Sequence, residues 1–168
     1  MASRTSLQDY QRELSERLRN AEGGGVNASM LGLQVDDEAW LVDLREAGEV
    51  LPVPPITPLP LTRPWFKGVT NIRGNLYSVV DFPAFLQKRP VVHGDQARLL
   101  LFGDRFRLGA SLLVDRSLGL RNPAQLERQQ AELPAWIRTQ YVDAEGRVWR
   151  ELDLAQLAQH PDFLGAGV

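Results

Sequence analysis

PWFKGVTNIRGNLYSVVDFPAFL, running from Pro64 to Leu86, is the stretch whose reading decides the fold. Trp65 and Phe66 are large apolar anchors set just before Gly68, which frees the backbone to turn. Trp65 to Val69 is expected to form a short helical turn. Asn71-Ile72-Arg73-Gly74 follows. Gly74 tolerates a positive φ, so the chain can reverse there and thrust Arg73 outward. Asn75 to Asp81 reads as a strand, with Leu76, Val79, Val80 and Phe82 mostly buried. Pro83 to Gln87 reads as a brief helix capped by Asp81 or the residue after it. Taken alone, the run fits equally well an ordinary turn and strand with a solvated arginine.

Working outward, short strands dominate. Met30 to Val35 and Ala39 to Leu44 flank the acidic turn Asp36-Asp37-Glu38 and are expected to pair as a hairpin. Glu49 to Val53 is a further strand. The stretch LPVPPITPLPLTRP, Leu51 to Pro64, is rich in prolines that cannot donate backbone hydrogen bonds, so it should be an ordered crossing loop or a sheet edge. Arg98 to Phe102 and Phe106 to Asp115 are expected strands, the second with a bulge or bend at Gly109 and Ala110. Pro123 to Ala131 is expected to be helical. Ile137 to Val142 and Arg147 to Leu152 flank a hairpin turn at Asp143 to Gly146. Asp153 caps a last helix to about Gln159, which Pro161 stops. Ahead of all this, Leu7, Tyr10, Leu14 and Leu18 lie on one face of a helix expected over residues 5–21, followed by a flexible joint at Gly23 to Gly25. The organisation expected is an N-terminal helix and joint over 1–29, a domain over 30–160, and a tail over 161–168. The fold class expected is mainly β: many short strands with helices only at the margins, arranged as small barrels.

The chain has 168 residues, 19 of them basic and 21 acidic, for a formal net charge of -2. There is no basic excess to hold phosphates, which argues against a nucleic-acid partner even though small barrels often serve as such modules. There is no cysteine, so disulfides, thiol catalysis and cysteine-based zinc sites are excluded. No apolar run reaches the roughly 18–20 residues a membrane helix needs, and the polar N-terminus lacks the apolar core of a signal peptide, so a cytoplasmic protein without membrane insertion is expected. His93 and His160 have no carboxylate at ligand spacing, and Asp36-Asp37-Glu38 lacks the spaced ligands of a calcium loop. No phosphate-binding glycine loop and no nucleophile elbow is present. No catalytic residue, metal or cofactor is therefore expected. A small hydrolase with a dispersed site is the weakest of the readings considered.

Gly68-Val69-Thr70-Asn71-Ile72-Arg73-Gly74, followed by Val79-Val80-Asp81, resembles the signature of CheW-like domains. Trp40 to Leu44, Glu49-Val50, Pro58-Leu59-Pro60 and Leu112 to Asp115 match further positions of that family, so the resemblance spans residues 30 to 160. The N-terminal stretch and the ending Leu157 to Phe163 look most like the type IV pilus version of the adaptor. The resemblance implies two five-stranded β-barrel lobes and no catalysis. It implies an adaptor between the cytoplasmic tip of methyl-accepting chemoreceptors and a CheA-like histidine kinase, with twitching motility as the output, or alternatively a flagellar-type chemotaxis coupling protein. Arg73 falls on the receptor-binding position and Glu49 on the glutamate that pairs with it. Asn71, Gly74, Val69 and Ala47 join them as expected partner-binding positions, with Gly68, Asp81, Trp65, Phe66 and Asp115 as the structural signature. Ser78 stands where many members have proline, Phe82 where leucine is usual, and Ala47 where a β-branched residue is common.

Overall fold

The computed structural model describes residues 30–164 and, ahead of them, Gln11 alone. The helix expected over 5–21 and the joint at Gly23 to Gly25 otherwise lie outside the described residues. In chain order the strands are β1 (Met30–Val35), β2 (Glu38–Asp43), β3 (Ala47–Pro52), β4 (Phe66–Ile72), β5 (Asn75–Asp81), β6 (Arg98–Phe102), β7 (Ala110–Val114), β8 (Arg116–Arg121), β9 (Glu127–Gln129), β10 (Ile137–Val142) and β11 (Val148–Leu152). Within residues 30–164 three short helices complete the set: α1 (Phe82–Phe85), α2 (Leu154–Gln159) and α3 (Pro161–Leu164).

The strands form two sheets. One has the order β8-β1-β2-β11-β10-β9, the other β3-β6-β7-β5-β4. From Met30 the chain runs in the first sheet, crosses after β2, builds the whole second sheet, and returns through Asp115 to complete the first. Each sheet carries a parallel pair, β2 with β11 and β5 with β7, among antiparallel neighbours.

Alternate side chains of one strand serve two different cores, because successive residues point to opposite faces. Leu31, Leu33 and Val35 join Trp40 and Val42 in a core shared between the sheets, where they meet Val80, Leu100, Phe102, Leu112 and Val114. Met30, Ala39, Leu41, Tyr141 and Trp149 form a second cluster belonging to the six-stranded sheet alone. Ile72, Val79, Leu99, Leu101 and Leu113 form the third, belonging to the five-stranded sheet. Burial on both faces explains the apolar runs Leu99 to Phe102 in β6 and Leu112 to Val114 in β7. The C-terminal helices close the shared core. Asp153 caps α2 by accepting a hydrogen bond from the Gln156 N–H at 3.1 Å, and Leu154, Leu157 and Phe163 are buried there. Pro161 both follows α2 and opens α3, so within the stretch expected as a tail Phe163 belongs to the shared core.

The hairpins β1–β2 and β10–β11 stand where they were expected, and so do α1 and α2. Four local expectations do not hold. Residues 65–69 are not helical: β4 starts at Phe66, with a bulge between Phe66 and Gly68. The single strand expected over Phe106 to Asp115 is shortened, because Asp104–Phe106 is a 3-10 turn and Arg107 and Gly109 both have positive φ. Residues 123–131 form one 3-10 turn capped by Asn122 and then β9, which pairs with β10 and makes this sheet six-stranded rather than five. That stretch offers only Leu126 to a core, too little apolar surface to dock a helix. Leu76 is 66% exposed, because it follows the tight turn at the start of β5, beyond the cover of the other sheet. Strand β8 is an element the sequence did not suggest.

Candidate partner-binding surface

The β4–β5 hairpin turns on two residues, Arg73 and Gly74, with φ of 51° and 87°. Two consecutive positive φ values define the type I′ loop that matches the twist of paired strands. The Asn71 side-chain oxygen accepts the Gly74 N–H at 2.9 Å and so fastens the loop from inside. These three residues explain one another: Gly74 makes the reversal possible, Asn71 holds it, and Arg73 is presented at its tip.

Arg73 lies on the edge strand β4 side of the five-stranded sheet, and Glu49 lies on β3, the opposite edge. The sheet curls far enough for the two to form a two-point ion pair. Nη1 donates to Oε1 at 3.3 Å and Nη2 donates to Oε2 more closely. The hydrogen bonds and charge of Glu49 raise the Arg73 guanidinium above its ordinary pKa. The Arg73 side chain is 69% exposed and that of Glu49 23%. An exposed pair of this kind contributes only about 0–1 kcal/mol to stability. What it does is fix a planar fork of donors in one orientation across the seam of the sheet. Ala47 sits two residues before Glu49 against the shared core, and Val69 two residues before Asn71 on β4.

The rest of the signature fastens the proline-rich segment. Val69 exchanges both backbone hydrogen bonds with Thr57, at 2.8 and 2.9 Å, and Thr70 Oγ1 donates to the Pro55 carbonyl at 2.8 Å. The chain leaving β3 therefore reaches the far edge of its own sheet. Gly68 is what lets it approach. Its φ is 132°, and a Cβ there would lie 2.0 Å from the Thr57 carbonyl oxygen.

Asp81 ends β5 and Asp115 follows its parallel neighbour β7, and each ties down what comes next. Asp81 is fully buried. Its two oxygens accept the Ala84 and Val91 N–H groups, each at 3.0 Å, and Lys67 lies 3.9 Å away. Asp115 accepts the Asp36 N–H at 2.6 Å, so the end of the second sheet holds the β1–β2 turn of the first. Burial pushes the Asp115 carboxyl up; the hydrogen bond from Asp36 opposes this, while the charges of Asp81 and Asp36 add to it. Trp65 stands edge-on to Phe85, with ring centroids 5.0 Å apart, and Phe66 packs on the shared core.

One cluster had no sequence signal. Arg138 on β10 donates to Glu46 at 2.5 Å and Glu151 at 2.9 Å and lies 3.3 Å from Asp153. Glu46 also accepts the Leu154 N–H at 3.1 Å, capping α2 from 108 residues away. Glu46 sits in the crossing between the sheets, so this network joins that crossing to β10, β11 and α2. Burial alone lowers the Arg138 pKa, but its carboxylate partners outweigh this and raise it. Among the described residues no group of three His, Asp or Glu is placed to hold a metal ion, and no helix is long and apolar enough to cross a membrane.

Comparison with known proteins adds three findings. The family model for the CheW-like domain matches residues 29–162. Protein PilI of Pseudomonas aeruginosa is 30% identical over 146 residues, which cover 83% of this chain and 80% of that protein. The crystal structure of the scaffolding protein TtCheW from Thermoanaerobacter tengcongensis superposes with a TM-score of 0.63 at 16% identity, covering 75% of this chain and 88% of that one. The signature around Arg73, the two-sheet fold and these matches agree, and the chain belongs to the CheW-like domain family.

Proposed function

We propose that this protein is a non-catalytic adaptor that couples the cytoplasmic tip of a methyl-accepting chemoreceptor to a CheA-like histidine kinase, in a pathway that controls twitching by type IV pili. The observation that carries the receptor assignment is the Arg73 fork, open to solvent and held by Glu49 at the tip of a rigid hairpin. Arginine presented in a fixed orientation is a frequent anchor of protein interfaces. Asn71, Gly74, Val69 and Ala47 shape the same surface. The similarity to PilI supports the pilus pathway over a flagellar one. The adaptor works in the cytoplasm and is recruited to membrane receptor arrays by its partners. It transmits a signal by binding active and inactive kinase assemblies with different affinity.

The test is a pull-down with the receptor tip and the kinase, using wild type and Arg73→Ala. Wild type is expected to bind both partners and Arg73→Ala to keep only the kinase. Retention of the receptor by a folded Arg73→Ala variant would overturn the site, and failure of wild type to bind either partner would overturn the role.

A further inference from the structure

Between the two sheets lies a groove of about 690 Å³ that the adaptor reading does not use. Its floor is aromatic: Trp40 stacks on Trp136 at 5.8 Å, and Phe85 stands edge-on to both Trp65 and Trp136. The Trp40 indole N–H is buried and has no acceptor among the described residues. The rim is charged. Arg150 pairs with Glu38 at 2.5 Å and Lys88 with Glu38 at 3.3 Å, while Arg63 has no carboxylate partner among the described residues. A concave aromatic surface of this volume with a few polar groups at its edge is the form a binding site takes.

We propose that this groove is filled by the chain's own N-terminal stretch, residues 5–21, through the stripe Leu7, Tyr10, Leu14 and Leu18. Three observations support this occupant. First, the spacing of Leu7, Tyr10, Leu14 and Leu18 is that of an apolar helix face, which suits an aromatic floor. Second, the reach is sufficient. The chain enters the fold at Met30, and Leu33 pairs with Trp40 at the groove, about 10 Å further along β1. Eight residues separate the stretch from Met30, enough chain to bridge about 15 Å. Third, the charges suit. Asp9, Glu13 and Glu16 alternate with the stripe and can meet Arg63, while Arg12 and Arg17 can meet Asp162 and Asp37, both exposed on or beside the rim. The groove is then a self-occupied site, and a partner that uses it must displace the stretch.

The chain has four tryptophans, so two-dimensional proton–nitrogen NMR shows four indole signals. Trp40, Trp65 and Trp136 line the groove, and Trp149 lies in the separate cluster of the six-stranded sheet as an internal control. The full-length protein is compared with Tyr10→Asp/Leu14→Asp, which alters no described core. The expected result is a shift of the Trp65 and Trp136 signals with Trp149 unmoved, independent of protein concentration, and recovery on adding a peptide of residues 5–21 to the variant. Groove signals that stay in place in the variant would overturn the proposal. Shifts that vanish from wild type on dilution would also overturn it, because the occupant would then be a second copy.

Discussion

Gly68→Ala adds one methyl group at the most crowded glycine of the signature. Its Cβ would lie 2.0 Å from the Thr57 oxygen, 2.6 Å from the Thr57 carbonyl carbon and 2.8 Å from Pro58 Cα. All three are backbone atoms, so no side chain can swing away to make room. Two costs add. Placing a side chain at φ 132° costs on the order of 1–3 kcal/mol, and overpacking a tight contact costs about 1–3 kcal/mol more. The cheapest relief is to peel the proline-rich segment off β4. That gives up the two Thr57–Val69 hydrogen bonds, at roughly 1 kcal/mol each, and keeps the backbone strain. Either route gives a loss of about 3 kcal/mol. Gly74→Ala is the control. It also carries a positive φ, 87°, but nothing lies within 4 Å of its Cβ, so only the strain of about 1 kcal/mol applies. Thermal unfolding followed by tryptophan fluorescence measures both. A domain of this size shifts its Tm by about 2–4 °C per kcal/mol, so Gly68→Ala should lose about 6–12 °C and Gly74→Ala about 2–4 °C. Equal losses for the two variants would refute the reasoning, because the crowding against Thr57 and Pro58 is what sets Gly68 apart.

Arg73→Lys keeps the charge but loses the two-point fork to Glu49. It should leave stability within about 0.5 kcal/mol of wild type in a thermal melt, while receptor affinity falls in a binding titration. Arg138→Ala leaves the buried carboxylates of Glu46 and Glu151 without their cation. It should cost about 3 kcal/mol in urea unfolding, far more than an ordinary surface substitution. Asp43 gives a pH test. Burial raises its pKa, but the side-chain and backbone hydrogen bonds from Arg45 outweigh this and hold the carboxyl below its ordinary 3.8. A depressed folded pKa stabilises the fold above the unfolded value, and that contribution is lost as pH falls through the folded one. Asp43→Asn should therefore flatten the acid side of the stability profile below about pH 3.8, as read from urea midpoints at a series of pH values.

What the sequence made legible was local. The turn at Arg73-Gly74, the caps Asp81 and Asp153, and the hairpin at Asp36-Asp37 each rest on residues within a few positions of one another. The Arg73–Glu49 pair bridges opposite edges of one sheet and was reached only through resemblance to a family; no spacing in the chain could give it. The helix expected over 123–131 failed because Asn122 and Pro123 signal a helix start without saying how far it runs, and the edge of β10 offered the following residues a better partner. The Arg138 network was invisible because Glu46 and Arg138 are 92 residues apart and neither neighbourhood marks them. The strands Phe66–Ile72 and Arg116–Arg121 were obscured by Gly68 and Gly119, which read as breaks but pair in the ladder beside a register shift.

The path of the chain between the two sheets sets an order of assembly. The five-stranded sheet is built from one uninterrupted stretch, Ala47 to Val114, so all of its partners are at hand once that stretch has been synthesised. The six-stranded sheet is different: β1 and β2 emerge first, yet β2 must wait for β11 to supply its parallel neighbour. Loop closure across the intervening lobe becomes cheap only when that lobe has already condensed and brought its two ends together. The lobe that carries Arg73 is thus expected to act as the template on which the rest of the molecule closes. A defect in it, such as a loosened proline-rich segment, should slow refolding of the whole chain as well as weaken the finished fold.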